Sequence, residues 1–489
     1  MMVNLEEPIR RRDMVYGIYI DRESKRSVTH QVCQQLRRLI ESGQLAAGTR
    51  LLPTRVLAKE WGIARNVVIE VYEQLTAEGY LEGRVGSGTY VASGIVPSPR
   101  PRNEPSVSEQ PIDKVTSTEH SHLIDFAAGI PDQKMFPRHI WAKYLKQAAE
   151  ASVNANHDYG HIKGDKTLRS AICDYVFRSK GIQCSSDQIV IVSGASEGLL
   201  LLAKSLASRF HSIYIEDPTI DITRDIFQMM NYRLVPVEVD HSGMRIDSLA
   251  SFAPGHLVLL TPSHQFPSGS VLSIQRRHQV IRMLEEADSF VIEDDYDSEF
   301  RLRGIPVPPL QTLSPSRVIY VGTFSKTLTP SLRIGFMIVP PDLTDAITKM
   351  KDKLNIHTPA VIQQALSRFI LDGHLERHIH KMKNVYKKRR NVLTERLHHL
   401  FGADISIVGD DAGMHLQVIF GPQAYALLPW NDTASYGFRV EPSSNYSISP
   451  SCPPSSTGIV LGYGNLSTEE IEEGLSRLYS FASPCKDSS

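Results

Sequence analysis

Residues 317–336 constrain the fold more than any other stretch. Arg317-Val318-Ile319-Tyr320 is an apolar run that reads as a buried strand. It runs straight into Val321-Gly322-Thr323-Phe324-Ser325-Lys326-Thr327-Leu328, and Arg333 follows seven residues after the lysine. A lysine amine among hydroxyls and near a guanidinium can form a Schiff base with an aldehyde that also carries a phosphate. Thr323, Ser325 and Arg333 would hold the phosphate dianion, since a planar guanidinium suits its oxygens. Burial and the neighbouring positive charge would lower the Lys326 pKa, as an imine-forming amine requires. Taken alone, Ser-Lys is equally the pattern of a solvated surface lysine.

Two further stretches supply what that chemistry lacks. Phe290-Val291-Ile292-Glu293-Asp294-Asp295-Tyr296-Asp297 places carboxylates and a phenol at the C-terminal end of a strand, where open α/β sheets bind ligands. One carboxylate could keep a pyridinium nitrogen protonated, and the phenol could bond a ring oxygen. Ser193-Gly194-Ala195-Ser196-Glu197-Gly198 follows the strand-like Ile189-Val190-Ile191-Val192 and opens an apolar helix, whose first N–H groups form an anion site. From residue 122 onward strands and helices alternate, the pattern of an α/β domain, and from residue 360 the pattern turns mostly helical. In order, context and spacing these motifs resemble the pyridoxal-phosphate aminotransferases of fold type I. The resemblance implies a large domain at about 155–355 and a smaller α+β lobe at about 356–489. It further implies pyridoxal 5'-phosphate on a Schiff-base lysine, Lys326, with Asp294 at the ring nitrogen and Tyr296 at the ring oxygen. Ser193, Gly194, Ala195, Ser196, Thr323, Ser325 and Arg333 would lie around the phosphate. Tyr159 would reach the phosphate of a neighbouring subunit, so the site is expected to be dimeric.

Residues 1–92 follow a different period. Val28, Val32, Leu36, Leu39 and Ile40 share one face of a helix over 26–42. A short helix over 54–60, a turn at Trp61-Gly62-Ile63, and a helix over 64–78 come next. Two short alternating strands about a glycine-rich tip, 80–91, close the segment. This is a winged helix-turn-helix, in which the last helix enters a major groove and the wing lies along the backbone. The run Gln44-Leu45-Ala46-Ala47-Gly48-Thr49-Arg50-Leu51, the pair Arg65-Asn66 and the Gly86-Ser87-Gly88 tip resemble the GntR-type DNA-binding domain. Ala64 stands where that family usually has an N-capping serine, and Val67 where it has threonine. Residues 1–92 hold 13 Lys+Arg against 11 Asp+Glu, a balance of +2. A DNA-binding face must therefore come from clustering of Arg50, Arg55, Arg65 and Arg84, with Asn66 and Gly86, and not from bulk charge.

A proline- and serine-rich stretch over 93–121 has no apolar period and reads as a linker. The net charge of −1 implies no polyanionic partner by itself. Five cysteines without CxxC or His-paired spacing fit a reduced cytosolic protein with no metal site. No signal peptide or membrane-spanning run is read. Winged helix, linker and aminotransferase-like domain in this order resemble the MocR subfamily of bacterial transcription regulators, as in its GABA-responsive member. The resemblance implies a cytoplasmic, nucleoid-associated homodimer, domain-swapped head-to-tail, that binds double-stranded operator DNA and senses a small-molecule effector. The alternative is an active aminotransferase with an accessory DNA-binding domain. Ile220, Ile222 and the arginine-free Ser455-Ser456-Thr457-Gly458-Ile459-Val460 depart from the family's effector clamps. GABA is therefore expected to be a poor effector. The basic run Lys381, Lys383, Lys387, Lys388, Arg389, Arg390 reads as a solvated helix face, with auxiliary DNA contact as the alternative.

Overall fold

A computed structural model describes residues 15–22, 24, 26–84, 86–93, 123–151, 160–249, 254–305, 307–421, 423–449 and 457–483. Tyr159, nearly all of the linker, and Ser455 and Ser456 lie outside the described residues. The chain divides into two compact units, residues 1–118 and 119–489.

The first unit contains α1 (Val28–Glu41), α2 (Thr54–Trp61), α3 (Arg65–Ala77), β1 (Leu81–Arg84) and β2 (Gly88–Val91). Ser27 caps α1 by accepting from the His30 N–H. Val32, Cys33 and Leu36 of α1 pack with Leu57 of α2 and with Val68, Val71 and Leu75 of α3. β1 and β2 pair antiparallel from Leu81↔Val91 to Arg84↔Gly88, forming the wing.

The second unit is a three-layer α/β domain with a smaller lobe. It begins with β3 (Ile124–Asp125), α4 (Arg138–Ala151), α5 (Lys166–Lys180), β4 (Ile189–Val192), α6 (Ala195–Leu206), β5 (Ser212–Asp217), α7 (Asp221–Met229), β6 (Arg233–Asp240) and β7 (Gly243–Met244). It continues with β8 (His256–Leu260), α8 (Ile274–Glu286), β9 (Val291–Asp295), β10 (Val318–Thr323), β11 (Gly335–Ile338), α9 (Pro341–Leu354), α10 (Ala360–Leu371) and α11 (His374–Phe401). The chain closes with β12 (Ile405–Val408), β13 (His415–Phe420), β14 (Phe438–Arg439), β15 (Glu441–Pro442), β16 (Thr457–Gly462) and α12 (Thr468–Ala482).

The large sheet runs β4-β11-β10-β9-β8-β5-β6-β7. β10, β9, β8, β5 and β6 are parallel, and β11 is antiparallel to both β4 and β10. The C-terminal ends of β4, β10, β9, β8 and β5 therefore share one edge. Alternate residues serve opposite faces: Ile292, Ile319 and Val321 join the core under α6, α7 and α9, while Val291 and Val318 join the core under α8. Burial on both faces explains why these strands read as continuous apolar runs. The small lobe packs α11 and α12 on the sheet β12-β13-β16-β15. Among the described residues no helix is long and apolar enough to cross a membrane.

The basic run on α11 is only partly a solvated face. Lys381, Lys387 and Lys388 are exposed. Arg389 instead bonds Asp132 at 2.5 Å, and the fully buried Arg390 bonds Asp410 at 3.1 Å. The helix period turns these two arginines inward, where carboxylates from other segments compensate them.

Candidate functional site

The strand register assembles the site. Val321 of β10 stands opposite Asp294 of β9, so the lysine-bearing turn and the acidic strand end emerge side by side. Thr323 of β10 stands opposite Gly335 of β11, which stands opposite Val192 of β4. The hydroxyls of Thr323 and Ser325, the turn at Ser193-Gly194 and the arginine two residues before Gly335 thus meet at one edge. Thr323 Oγ1 donates to Ser325 Oγ at 3.0 Å and accepts from the Ser325 N–H at 3.1 Å.

Gly194 caps α6 with φ 99°, and a Cβ there would lie 3.3 Å from the Arg333 guanidinium. Only glycine allows both that backbone and that approach. The N–H groups of Ala195 and Ser196 open the helix beside the guanidinium, an arrangement suited to a dianion. Glu197 holds the turn from behind. It accepts from the Ser193 N–H and from Asn355, and pairs at 3.2 Å with the wholly buried Lys351.

Three buried acids in this region have carboxyls pushed up to about 7, in each case first by burial: Glu216, Glu293 and Asp294. Glu293 accepts from the Leu310 and Gln311 N–H groups, and Glu216 from Thr261. These two are structural. Asp294 is 5% exposed, and its Oδ1 has no hydrogen-bond partner. An unpaired buried carboxylate is costly, and a cation bound against it would relieve that cost. Asp295 points elsewhere, at Lys180 (2.9 Å), Ser298 and Tyr320, and Lys180 also pairs with Glu299 at 2.9 Å.

Lys326 is half-buried, and its Nζ donates to the Gly129 carbonyl at 2.8 Å. Burial lowers its pKa, opposed by the charges of Asp297 and Asp294. The lowering comes from burial and not from Arg333 as expected, because that guanidinium lies beside Gly194. The residues present fit pyridoxal phosphate: an orphaned carboxylate after β9, an amine with depressed pKa after β10 and an anion cradle beside β11 and β4, in that order along one sheet edge. Such a group would supply an aldehyde that captures amines and a protonated ring that withdraws electrons from them.

The Tyr296 phenol lies 3.2 Å from His264 Nδ1, which is itself 2.9 Å from Asp297 Oδ1. Burial depresses the His264 pKa, but Asp297 outweighs it and leaves the imidazole raised. His415 stacks near His264 with ring centroids 4.9 Å apart and is driven well below the usual range by burial. Ligand-type atoms of His264, Asp297 and His415 lie within 4.8 Å of one another. Phe266, Tyr446, Tyr296 and Val460 form an apolar wall, with Ile220 packed against it; Ile222 is exposed.

The His264–Asp297 pair, Phe266, His415 and Tyr446 were not assigned roles from the sequence. A donor-rich run after a strand, Thr261-Pro262-Ser263-His264-Gln265-Phe266-Pro267-Ser268-Gly269, and the acids of 293–297 are the sequence signals for His264, Phe266 and Asp297; His415 and Tyr446 carry none. A cleft of about 1010 Å3 beside the site is lined by hydroxyls such as Ser268 and Ser443, by Arg301, and by the acids Asp240, Asp410 and Asp411.

On the first unit, Arg50, Arg55, Arg65, Asn66, Arg84 and Gly86 are all exposed. Ala64 caps α3 without a side-chain bond. Arg65 Nε reaches Thr54 Oγ1 at 3.4 Å. Arg50 lies against Gly88 at the wing, and Arg84 stacks 4.4 Å over Tyr90 while pairing with Glu82 at 2.7 Å. Arg84 therefore brings less net charge to the face than the sequence suggested.

The fold and site define a class: a winged helix-turn-helix joined to an aminotransferase scaffold. Residues 28–91 match the bacterial regulatory proteins of the gntR family, and residues 121–438 match aminotransferase class I and II. The chain is 33% identical to the probable rhizopine catabolism regulatory protein MocR of Rhizobium meliloti, covering 95% of each. It is 29% identical to the HTH-type pyridoxine biosynthesis transcriptional regulator PdxR of Corynebacterium glutamicum, over 90% of this chain and 92% of that one. Among solved structures, the multiple substrate aminotransferase of Thermococcus profundus superposes with a TM-score of 0.69 at 25% identity, covering 76% of this chain and 94% of that one. The chain belongs to the MocR subfamily of GntR-type transcription regulators. GntR-type regulators bind operator DNA, and the aminotransferase family to which the second unit belongs binds pyridoxal phosphate.

Proposed function

We propose that this regulator holds pyridoxal phosphate on Lys326 and reads a small amine-bearing effector at that site, changing its affinity for operator DNA. The observation that carries this reading is Asp294 Oδ1, the one carboxylate of the three raised acids without a partner of its own. Asp294 would hold the ring nitrogen, Tyr296 the ring oxygen, and Thr323, Ser325, Arg333 and the α6 N-terminus the phosphate. A head-to-tail homodimer, with Tyr159 of each subunit at the other's phosphate, completes the proposal.

An effector must bind one arrangement of the protein better than another, and typical coupling is about 5–150-fold in affinity. By reciprocity, operator DNA changes effector affinity by the same factor. A screen of amines, amino acids, dipeptides and vitamers, read by visible absorption and operator affinity together, tests this. The acids lining the cleft, Asp240, Asp410 and Asp411, and the absence of arginine at Ile220, Ile222 and 457–460 lead to GABA being a weak effector. A tight response to GABA would overturn that assignment of the clamps.

The retained Lys326, Asp294 and Tyr296 favour the aminotransferase alternative enough to test it. Multiple-turnover amino-group transfer to 2-oxoglutarate at about 1 per second or faster would establish an enzyme.

Arg65, exposed at the start of α3, is proposed to read a base, with guanine the commonest arginine target. Arg65→Ala is expected to weaken specific operator binding by about 1–3 kcal/mol and relax one position. Equal loss on operator and random DNA would make it a phosphate contact.

A further inference from the structure

Two of the cysteines meet in the fold although no motif joins them. α5 ends at Lys180, where Gly181 adopts φ 75° and returns its N–H to Phe177. Ile182, fully buried, then bonds the Val176 carbonyl at 3.3 Å. This cap turns the chain back along its own helix. Cys173 lies seven residues before the helix end, about 10 Å at the α-helical rise. Three residues of non-helical chain, 182–184, reach about as far. Cys184 Sγ accordingly donates to Cys173 Sγ at 3.7 Å, and both are half-buried against the α4–α5–α10 core.

We propose that Cys173 and Cys184 are a modification site: a pair that hydroperoxides oxidise to a reversible disulfide. Closing 3.7 Å to a disulfide bond of about 2.05 Å takes about 1.7 Å of movement, shared between two side chains. The roles are unequal. Donation from Cys184 holds the Cys173 thiol below its usual range against the effect of burial, while Cys184 is pushed up. Cys173 is the attacking thiolate and Cys184 the resolving thiol.

The Cys173 thiolate attacks one oxygen of hydrogen peroxide and the O–O bond breaks; the departing hydroxide takes up the proton that Cys173 had lost and leaves as water, with a sulfenic acid formed on Cys173. The Cys184 sulfur then attacks the sulfenyl sulfur; its proton and the departing hydroxide leave as water. Two thiols and one peroxide give one disulfide and two waters, and a dithiol reductant restores the thiols. The bond would pin residues 181–188 to α5, and these residues lead directly into β4 and the Ser193-Gly194 turn. The proposal does not rest on the cofactor reading.

The test uses the full-length protein, treated with hydrogen peroxide, alkylated with N-ethylmaleimide and digested without reductant. The expected result is the Cys173 peptide joined to the Cys184 peptide, two hydrogens lighter than their sum, and released by dithiothreitol. Cys33, buried in the other unit, serves as the internal control that stays unlinked. In Cys184→Ser the linkage is lost, and a dimedone-reactive sulfenic acid accumulates on Cys173. Both thiols remaining alkylatable after peroxide, or either joining Cys452 or Cys485 instead, would overturn the proposal. So would a linkage that dithiothreitol leaves intact.

Discussion

Lys326→Ala is expected to remove the visible absorption band that the parent protein shows after saturation with pyridoxal phosphate. Borohydride, which should fix the cofactor on Lys326 in the parent, should fix none in the variant. Among the described residues of the site, Lys326 supplies the amine that can form an imine with an aldehyde. Burial lowers its pKa, which favours the neutral, nucleophilic amine over the ammonium. The substitution leaves Asp294, the Thr323–Ser325 hydroxyls and the α6 N-terminus in place, so non-covalent capture should persist at lower affinity. Operator binding without effector should stay near the parent value, since no residue of 15–93 is altered. The effector response should fall from the expected 5–150-fold to none. A visible band of parent intensity in the variant would place the imine on another lysine. An effector response of parent size would show that imine chemistry is not the trigger.

Much of this site was legible because its parts sit at strand ends. β4, β9 and β10 are buried on both faces and therefore read as apolar runs, and the polar residues after them stand out. The helices of the first unit were equally legible: α3 was expected over 64–78 and spans Arg65–Ala77, with Ala64 capping without a side-chain bond. What the sequence could not supply was pairing across distance. Three acids at 293–295 look alike in sequence, and only the fold gives Glu293 two backbone N–H groups, Asp295 a lysine, and Asp294 nothing. Arg389 and Arg390 look like their solvated neighbours until Asp132 and Asp410 are brought to them. Cys173 and Cys184 meet through a cap at Gly181 that carries no thiol signature. Tyr446 reaches the site from a short 3-10 turn, with no period to mark it.

Lys180→Met should be the most destabilising single change at the edge of this site, at about 3–5 kcal/mol near pH 7. Methionine keeps the apolar stem and removes the charge. Lys180, Asp295 and Glu299 side chains are 6%, 2% and 10% exposed, so this is a buried network and not a surface pair. Without the ammonium, Asp295 keeps the Ser298 N–H and the Ser298 and Tyr320 hydroxyls, all uncharged donors, as partners for a fully buried carboxylate. Burial acts to raise the Asp295 pKa, and Lys180 with those hydroxyls outweighs it, holding the group below the usual range. A depressed folded pKa contributes stability that is present above the unfolded value of about 3.9 and is lost as pH falls through the folded one. In the variant the balance reverses: the folded pKa rises, and protonation relieves the strain as pH falls. The gap between parent and variant should therefore narrow from pH 7 toward pH 5 in urea titrations. The charge of Asp295 is also one cause, after burial, of the raised Asp294 carboxyl. A neutral Asp295 would let Asp294 ionise more readily, so variant protein that remains folded should still show the cofactor band. A cost below about 1 kcal/mol, the worth of an exposed pair, would mean that water reaches the network. A gap that widens toward pH 5 would mean that Asp295 is not the carboxylate left uncompensated.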